Sequence, residues 1–259
     1  MPFADLHDAR IYYETTSSAV APVLVLSNSL GADLSMWEPQ VTRFSRRFRL
    51  LRYDTRGHGR SEVTPGPYSI AQLSGDVLEL LDSLRVAAAH FCGLSMGGLI
   101  GQWIALHAPH RLIRLALANT AAKIGTAESW NTRIEAVRTK GMKAITEPVL
   151  ERWFTPEFHR HAPEVVARFG AMLERCDPAG YAANCAAVRD IDLREFAFTI
   201  GLPALIVSGA HDPATPPEDG QFLAESIPGA KYVELQAAHL SNIEAADAFA
   251  ECVVDFLCQ

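Results

Sequence analysis

The sequence predicts an α/β protein with a mostly parallel twisted sheet and helices on both of its faces. Short apolar runs of strand length alternate along the chain with segments of helical periodicity. Apolar runs bounded by polar loops are typical of central parallel strands. Residues 121–190 break this alternation, because they have a helical pattern without a convincing strand and are too long for an ordinary connection. We therefore expect a core of residues 1–120 and 191–259, with residues 121–190 inserted as a helical cap over the strand ends.

The predicted strands follow an opening hairpin. Phe3–Thr16 alternates around a turn near His7 and Asp8, which predicts the hairpin. Later strands are predicted at Pro22–Ser27, Phe48–Tyr53, Ala88–Cys92, Leu115–Asn119, Pro203–Gly209 and Lys231–Leu235. Open α/β sheets place their functional groups beyond the carboxyl ends of such strands, so we expect the functional residues there.

Three helix starts are visible in the predicted core. Ser69 with Gln72 forms a capping-box pattern ahead of apolar residues at helical spacing. Ser241 with Glu244 forms a second capping-box pattern, which predicts the start of a final helix. The range Gly98–Leu106 carries a third helical pattern directly after a predicted strand.

The range Gly93–Gly97 has the pattern G-x-S-x-G between a predicted strand and a predicted helix. The two glycines leave room for a turn so tight that Ser95 is held out from it, at the helix N-terminus. There the backbone N–H of Met96 and the helix dipole favour a developing oxyanion. The motif alone also occurs by chance, so a nucleophilic role for Ser95 requires an acid and a histidine later in the chain.

Both residues follow at predicted strand ends, as Asp212 and then His239. A single Asp at a strand end is more often a turn or cap residue, and a single His is often only solvated. Their combination with Ser95 in this order predicts a catalytic triad. The other strand end that could carry the acid, at Asn119, has no carboxylate, and His211 is interpreted as a surface residue.

A second oxyanion donor is expected from the loop Ser27–Ala32. Gly31 lets the backbone turn closely in this loop, and the N–H of Leu30 is the candidate partner for the N–H of Met96. The alternative interpretation is a polar connector without a catalytic role. Losing one such donor typically lowers the rate about a hundredfold to a thousandfold.

The loop Asp54–Ser61 contains two glycines with charged neighbours. This pattern predicts a tight loop that ion pairs hold in place. His58 within it could act as a catalytic base, but a structural role fits the pattern better.

Composition excludes several classes of function. The chain has 259 residues, a net charge of −7 and five scattered cysteines without a C-x-x-C pair. The cysteines argue against a disulfide framework or a zinc site and suit a reducing cytoplasm. The negative charge disfavours nucleic acid and anionic membranes as partners, and the apolar runs are too short to span a membrane. No signal-peptide pattern is visible, so we expect a cytoplasmic protein, and the oligomeric state stays open.

Over its whole length the chain resembles the α/β-hydrolase family. The loop Asp54–Ser61, the motif Gly93–Gly97, the late Asp212 and the late His239 all match that family's pattern. The resemblance implies an α/β-hydrolase fold that requires no metal or organic cofactor. It also implies that Ser95 attacks an acyl carbon while His239 takes its proton and Asp212 orients the imidazole.

Two further segments resemble the β-ketoadipate enol-lactone hydrolases. They are Ser27–Trp37 and Ala238–Glu244. Many hydrolases of this fold carry a His-Gly pair where this chain has Asn28 and Ser29, a departure that the enol-lactone hydrolases share. The resemblance implies hydrolysis of 3-oxoadipate enol-lactone to 3-oxoadipate, a late step in bacterial breakdown of aromatic compounds.

An anionic lactone would need a local cation in a negatively charged protein. Trp130 and Arg133 lie about one helical turn apart at the start of the predicted cap, so both could face the cleft. Arg133 could pair with the carboxylate of the lactone while Trp130 walls its ring. A solvated Arg133 is the alternative interpretation, and Arg138 and Arg152 are the alternative anchors.

Other functions are compatible with the same residues. A carboxylesterase, a carbon–carbon bond hydrolase or a perhydrolase of this fold would use the same triad on a different acyl group. A non-catalytic small-molecule receptor on a hydrolase scaffold is the alternative of another class, although a complete triad favours catalysis. A dehalogenase would need an Asp in place of Ser95.

Overall fold

An eight-stranded sheet forms the centre of the protein in a computed structural model, of which residues 2–16 and 21–259 are described. Its strands are β1 Phe3–Asp5, β2 Arg10–Thr15, β3 Val23–Ser27, β4 Arg49–Tyr53, β5 Ala89–Leu94, β6 Leu112–Ala118, β7 Ala204–Gly209 and β8 Lys231–Leu235. They lie in the order β1-β2-β4-β3-β5-β6-β7-β8. Only the pairs β1·β2 and β2·β4 are antiparallel, so the predicted hairpin and mostly parallel sheet are confirmed.

The α-helices connect these strands and cover both faces of the sheet. They are α1 Glu38–Phe44, α2 Ile70–Ser83, α3 Met96–His107, α4 Ala127–Lys140, α5 Lys143–Trp153, α6 Pro156–His161, α7 Pro163–Glu174, α8 Pro178–Asp190, α9 Pro217–Ser226, α10 Ser241–Glu244 and α11 Ala246–Leu257. Every residue of β3, β5 and β7 is buried. Because side chains alternate between the two faces of a strand, this burial requires cover on both sides.

Residues 121–190 contain the helices α4 to α8 and no strand. Within this segment α4 packs against α5 and α8, and α5 packs against α7. The segment contacts the rest of the chain at Gly180, where an added Cβ would lie 2.3 Å from the carbonyl oxygen of Gly57. A second contact is the hydrogen bond from the N–H of Leu240 to the carbonyl of Trp153, at 3.0 Å. The helical character is as expected, and the division into core and cap stays a prediction.

The capping box predicted at Ser241 is wrong. Leu240 occupies the N-cap position of α10, and Ser241 lies inside the helix, where its hydroxyl donates to Asn119 Oδ1 at 2.5 Å. The Glu244 carboxylate accepts the N–H of Ala238 at 3.0 Å instead of closing a box. Both side chains of the pattern therefore serve tertiary contacts, and the final helix is interrupted between α10 and α11.

At the start of α2 only half of the other predicted capping box forms. The Ser69 hydroxyl accepts the N–H of Gln72 at 3.1 Å, as expected of an N-cap. The Gln72 side chain instead donates to Asp8 at 3.3 Å, which ties α2 to the turn of the opening hairpin.

The loop Asp54–Ser61 is held by the expected ion pair. Arg56 is 1% exposed and donates from Nε to Asp76 Oδ2 at 2.9 Å and from Nη2 to Asp76 Oδ1 at 2.5 Å. The same Nη2 also donates to Asp8 Oδ1 at 2.5 Å. A bidentate pair between buried groups fixes the loop against α2 and the hairpin.

Replacing Arg56 by Leu should lower the free energy of unfolding by about 3–5 kcal/mol, because Asp76 would be left buried without its partner. Urea unfolding followed by circular dichroism measures this loss. The control is Arg10→Leu, since the pair of Arg10 with Asp5 is exposed and should contribute less than about 1 kcal/mol. Equal losses in the two variants would contradict the assignment, as would a double Arg56→Leu, Asp76→Leu variant that is no more stable than Arg56→Leu alone.

Candidate active site

The turn between β5 and α3 has the strained geometry that the G-x-S-x-G pattern predicts. Ser95 adopts φ +58° and ψ −114°, a conformation that is costly for a residue with a side chain. A Cβ at Gly93 would lie 2.2 Å from the Gly97 carbonyl oxygen, and a Cβ at Gly97 would lie 2.2 Å from the Ser27 carbonyl oxygen. The N–H of Ser95 is satisfied by the Ala118 carbonyl at 2.9 Å. Only glycine fits at these two positions, and Ser95 is thereby held at the N-terminus of α3.

His239 and Asp212 form a buried hydrogen-bonded pair. The two residues are each 3% exposed, and His239 Nδ1 lies 2.8 Å from Asp212 Oδ2. This contact places the imidazole proton on Nδ1 and leaves Nε2 as the free base. His239 and Ser95 line the same cavity of about 180 Å³. The structure therefore brings the three residues of the predicted triad into one site.

Asp212 is surrounded by hydrogen-bond donors. Oδ1 accepts the N–H groups of Ala214 and Thr215 at 2.8 and 3.1 Å, and Oδ2 accepts the Thr215 hydroxyl at 2.7 Å. The Asn119 amide adds a further donor to Oδ2 at 3.0 Å. Burial alone would raise the pKa of Asp212, but His239 and these donors outweigh it and hold the pKa below its ordinary value. Asp212 is thus an ionised, fully satisfied carboxylate.

Asn119 is a site residue that the sequence reasoning missed. It follows β6 with φ +42°, and its amide also donates to the Ala238 carbonyl at 3.2 Å. Its Oδ1 accepts the Ser241 hydroxyl at 2.5 Å. Asn119 therefore joins the loop of Asp212 to the loop of His239. The available signal in the sequence is the position of Asn119 at a predicted strand end, where an amide as well as a carboxylate can contact the predicted triad.

The predicted oxyanion donors lie on two segments that are bonded to each other. The N–H of Gly97 donates to the Asn28 carbonyl at 3.0 Å, which holds the loop after β3 against the start of α3. Gly31 turns this loop with φ +86°, and Leu30 lines the cavity beside Ser95. The N–H groups of Leu30 and Met96 find no acceptor within residues 2–16 and 21–259. Two free donors next to the serine are what an oxyanion requires.

Asn28, where the chain departs from the broad His-Gly pattern, is a structural residue. It is fully buried, donates to the Tyr53 carbonyl at 2.8 Å and accepts the indole N–H of Trp37 at 2.9 Å. These bonds fix the first half of the loop that ends in Leu30 and Gly31.

The helical segment supplies one wall of the cavity. Its lining side chains include Trp130, Arg133, Arg152, Trp153 and Tyr181. The guanidinium of Arg133 lies 4.6 Å from the centre of the Trp130 ring. Trp153 is both buried in the helical segment and part of the cavity lining.

Two of these lining residues are unpaired cations. In the part of the chain that the structure describes, neither Arg133 nor Arg152 forms an ion pair with a carboxylate. Burial and the charge of Arg133 lower the pKa of Arg152. Arg138, the other alternative anchor, is exposed and does not line this cavity. The cavity is therefore electropositive in a protein of net charge −7.

The carboxyl end of α5 is attached to the loop of His239. The N–H groups of His239 and Leu240 donate to the carbonyls of Arg152 and Trp153 at 3.4 and 3.0 Å. The side chain of Arg152 therefore enters the cavity from a backbone that is bonded to the histidine loop.

The two other histidines considered above lie outside the cavity. His211 is exposed, as expected. His58 is buried and accepts the N–H of Gly31 at its Nε2 atom, at 2.9 Å. No cluster of three or more His, Cys, Asp or Glu side chains suited to a metal ion occurs in the described ranges, nor does a helix long and apolar enough to cross a membrane.

Comparison with known proteins identifies the family. The model of the alpha/beta hydrolase family matches residues 23–252. The chain belongs to the α/β-hydrolase family. It is 44% identical over 246 residues to 3-oxoadipate enol-lactonase 2 of Acinetobacter baylyi, covering 95% of this chain and 92% of that protein. It is 38% identical to 3-oxoadipate enol-lactonase 1 of the same organism, covering 92% of this chain and 89% of that protein.

A solved structure agrees with these α/β-hydrolase relatives. The crystal structure of the enol-lactonase from Burkholderia xenovorans LB400 has a TM-score of 0.98 and 51% identity, with all of both chains covered. The resemblance to the α/β-hydrolases and their enol-lactonase group is thereby confirmed. The roles of individual site residues stay predictions.

Replacing Asn119 by Ala should lower kcat/KM about tenfold to a hundredfold, because a buried charge loses one hydrogen bond. The acid limb of the rate profile should also move to higher pH, since the Asn119 bond lowers the pKa of Asp212. Steady-state kinetics between pH 3 and 8 measure both effects, because the pKa of Asp212 lies below its ordinary value. The control, Ser241→Ala, leaves the Asn119 donor in place and should stay within about threefold of wild type. An unchanged acid limb in Asn119→Ala would contradict a role for Asn119 in the site.

Proposed function

We propose that this protein is a serine hydrolase that opens 3-oxoadipate enol-lactone to 3-oxoadipate. The observation that carries the proposal is a single cavity lined by Ser95, His239 and the unpaired Arg133 and Arg152. Such a cavity combines the groups for acyl transfer with a binding site for a carboxylate. The two Acinetobacter baylyi relatives named 3-oxoadipate enol-lactonase support this choice of substrate.

The first half of the reaction forms an acyl-enzyme. Ser95 Oγ attacks the ring carbonyl of the lactone while His239 Nε2 takes the hydroxyl proton. Asp212 holds the imidazole through Nδ1 and stabilises the imidazolium that forms. The tetrahedral oxyanion is bound by the N–H groups of Leu30 and Met96. The ring then opens as the enol oxygen leaves and receives the proton from His239.

The second half releases the product. A water molecule, deprotonated by His239, attacks the acyl-enzyme and regenerates the Ser95 hydroxyl. The released enol tautomerises to the ketone, which gives 3-oxoadipate. An enol oxygen is a better leaving group than an alkoxide, so ring opening needs less help from the general acid than cleavage of an alkyl ester.

Substrate recognition is assigned to the segment of residues 121–190, which we propose acts as a cap on a core of residues 1–120 and 191–259. Arg133 pairs with the free carboxylate of the lactone and Trp130 walls its ring. Arg152, which lines the same cavity, interacts electrostatically with the same carboxylate. An unpaired guanidinium in a partly buried site is costly, so a bound carboxylate stabilises both arginines.

The reaction belongs to bacterial breakdown of aromatic compounds through the β-ketoadipate pathway, and we propose that it takes place in the cytoplasm. All five cysteines are free, three of them buried, as suits a reducing compartment.

The proposed function is tested by following the loss of enol-lactone absorbance with the purified protein, beside a neutral p-nitrophenyl ester. We expect kcat/KM for the lactone of about 10⁶ M⁻¹s⁻¹ or above, with poor turnover of the ester. Ser95→Ala should abolish turnover without changing the circular dichroism spectrum. Fast ester cleavage without lactone activity would reject the substrate, and full activity in Ser95→Ala would reject the nucleophile.

Replacing Arg133 by Met should raise KM for the lactone about tenfold to a hundredfold, because the substrate carboxylate loses a charged hydrogen-bond partner. Methionine keeps an apolar stem beside Trp130, so the wall of the cavity is largely preserved. The matched control is Arg138→Met on the same helix, which should leave KM unchanged. Initial rates with lactone and neutral ester separate the outcomes: an equal effect on both substrates would remove Arg133 from the carboxylate site.

A further inference from the structure

The loop Ser27–Ala32, which carries the proposed donor Leu30 and is called the oxyanion loop below, is bonded to a histidine outside the cavity. The N–H of Gly31, the residue after Leu30, donates to His58 Nε2 at 2.9 Å. At its other end the loop is held by the bond from the Gly97 N–H to the Asn28 carbonyl, at 3.0 Å. Leu30 thus lies between two fixed peptide groups, one bonded to α3 and the other to His58.

The surroundings of His58 keep its ring neutral. Its side chain is buried, and burial lowers its pKa to about 4 even though a backbone hydrogen bond with Arg56 favours the charged form. A neutral ring with its proton on Nδ1 presents a lone pair at Nε2, which is the atom that faces Gly31. The ring is therefore a permanent acceptor at neutral pH.

Helix α8 contacts the other side of the ring. The Asn184 Nδ2 atom lies 3.2 Å from His58 Nδ1, and its two protons go to the carbonyls of Arg56 and Gly180 at 2.8 and 2.9 Å. Tyr181, one turn away on α8, packs against the ring with 6.3 Å between ring centres and also lines the cavity. Contacts on both sides therefore fix the orientation of the His58 ring.

Packing around Gly31 limits the conformations that its turn can adopt. Gly31 has φ +86°, and a Cβ there would lie 2.6 Å from the Leu173 side chain, so packing confines the turn. Its carbonyl accepts the Cys176 thiol at 3.4 Å. Without an acceptor at His58 the buried N–H of Gly31 would be unsatisfied, which favours rotation of the Leu30–Gly31 peptide toward another partner. The N–H of Leu30 belongs to the preceding Ser29–Leu30 peptide, so rotation of the Leu30–Gly31 peptide reorients this N–H through the backbone torsions of Leu30.

We propose that His58 is a positioning residue of the oxyanion hole. By accepting the Gly31 N–H it keeps the Leu30 N–H directed at the place where the tetrahedral oxyanion forms. The inference rests on the proposed function for the role of Leu30, but not on the identity of the acyl group. His58 therefore stabilises the transition state and contributes little to substrate affinity, because the ground-state carbonyl depends less on the N–H of Leu30.

The test compares His58→Leu, which removes the acceptor, with His58→Gln, whose amide oxygen can replace it. We expect His58→Leu to lower kcat about tenfold to a hundredfold with KM within about threefold, less than the loss of a whole oxyanion donor. The affinity for butylboronic acid, which forms a tetrahedral anion on the serine, should fall by the same factor as kcat. The affinity for adipate, an anion without a tetrahedral centre, should stay within about threefold. His58→Gln should retain kcat within about fivefold.

Several results would overturn the proposal. A folded His58→Leu variant with wild-type kcat would do so. So would a parallel loss of affinity for butylboronic acid and adipate, because a general structural defect does not distinguish the two ligands. A His58→Gln variant as impaired as His58→Leu would exclude the acceptor as the relevant feature.

A measurement on the wild-type protein covers the case in which His58→Leu does not fold. In ¹⁵N-histidine spectra, the ring that disappears in His58→Gln should be neutral from pH 5.5 to 8, with its proton on Nδ1. A cationic ring at pH 6, or a proton on Nε2, would overturn the proposal, because such a ring cannot accept the N–H of Gly31.

Failure of the proposed function gives a different pattern. If the wild type cleaves the p-nitrophenyl ester but not the lactone, the substrate assignment fails, and the His58 comparison is made on the ester and butylboronic acid. If the wild type neither turns over an ester nor binds butylboronic acid, the serine-hydrolase assignment fails and the proposal for His58 fails with it.

Discussion

Backbone packing at the turn after β5 is the constraint on which the rest of the site depends. Gly93 and Gly97 have no room for a Cβ, since each would place it 2.2 Å from a carbonyl oxygen. This contact lets the turn hold Ser95 at positive φ and brings the loop after β3 against the start of α3. Ser95 and Leu30 therefore line one small cavity, and Met96, the other proposed donor, directly follows the serine. The energetic cost of the strained serine is met by close packing on both sides of the turn.

Three strand ends supply the polar network behind the serine. Asn119 after β6, Asp212 after β7 and His239 after β8 are linked by hydrogen bonds of 2.8 to 3.0 Å. A buried carboxylate is tolerated here because every lone pair that faces the protein meets a donor. Donors that are already in position need no reorganisation when the imidazolium forms, which is the physical basis of the proposed catalysis.

The helical segment links substrate recognition to the same strand ends. Helix α5 is bonded to the loop of His239 through the carbonyls of Arg152 and Trp153, and α8 contacts the ring of His58 behind the oxyanion loop. Two arginines that form no ion pair among the described residues place positive charge in the cavity of a protein of net charge −7. An anionic lactone is therefore attracted to the cavity that contains the proposed nucleophile and lies beside the proposed oxyanion donors.

Local patterns in the sequence determined the sheet, the turn at the serine and the strand ends that carry the acid and the histidine. These features depend on residue periodicity and on glycines close in the chain, so they could be predicted. The capping box predicted from Ser241 and Glu244 shows the limit of local patterns, because both side chains form hydrogen bonds with residues outside the helix instead. Only the tertiary structure decided that Asn119 meets Asp212, 93 positions away, and that His58 meets the oxyanion loop, 27 positions away. Such contacts depend on how loops from different strands pack together, and no local sequence pattern determines which of these distant residues meet.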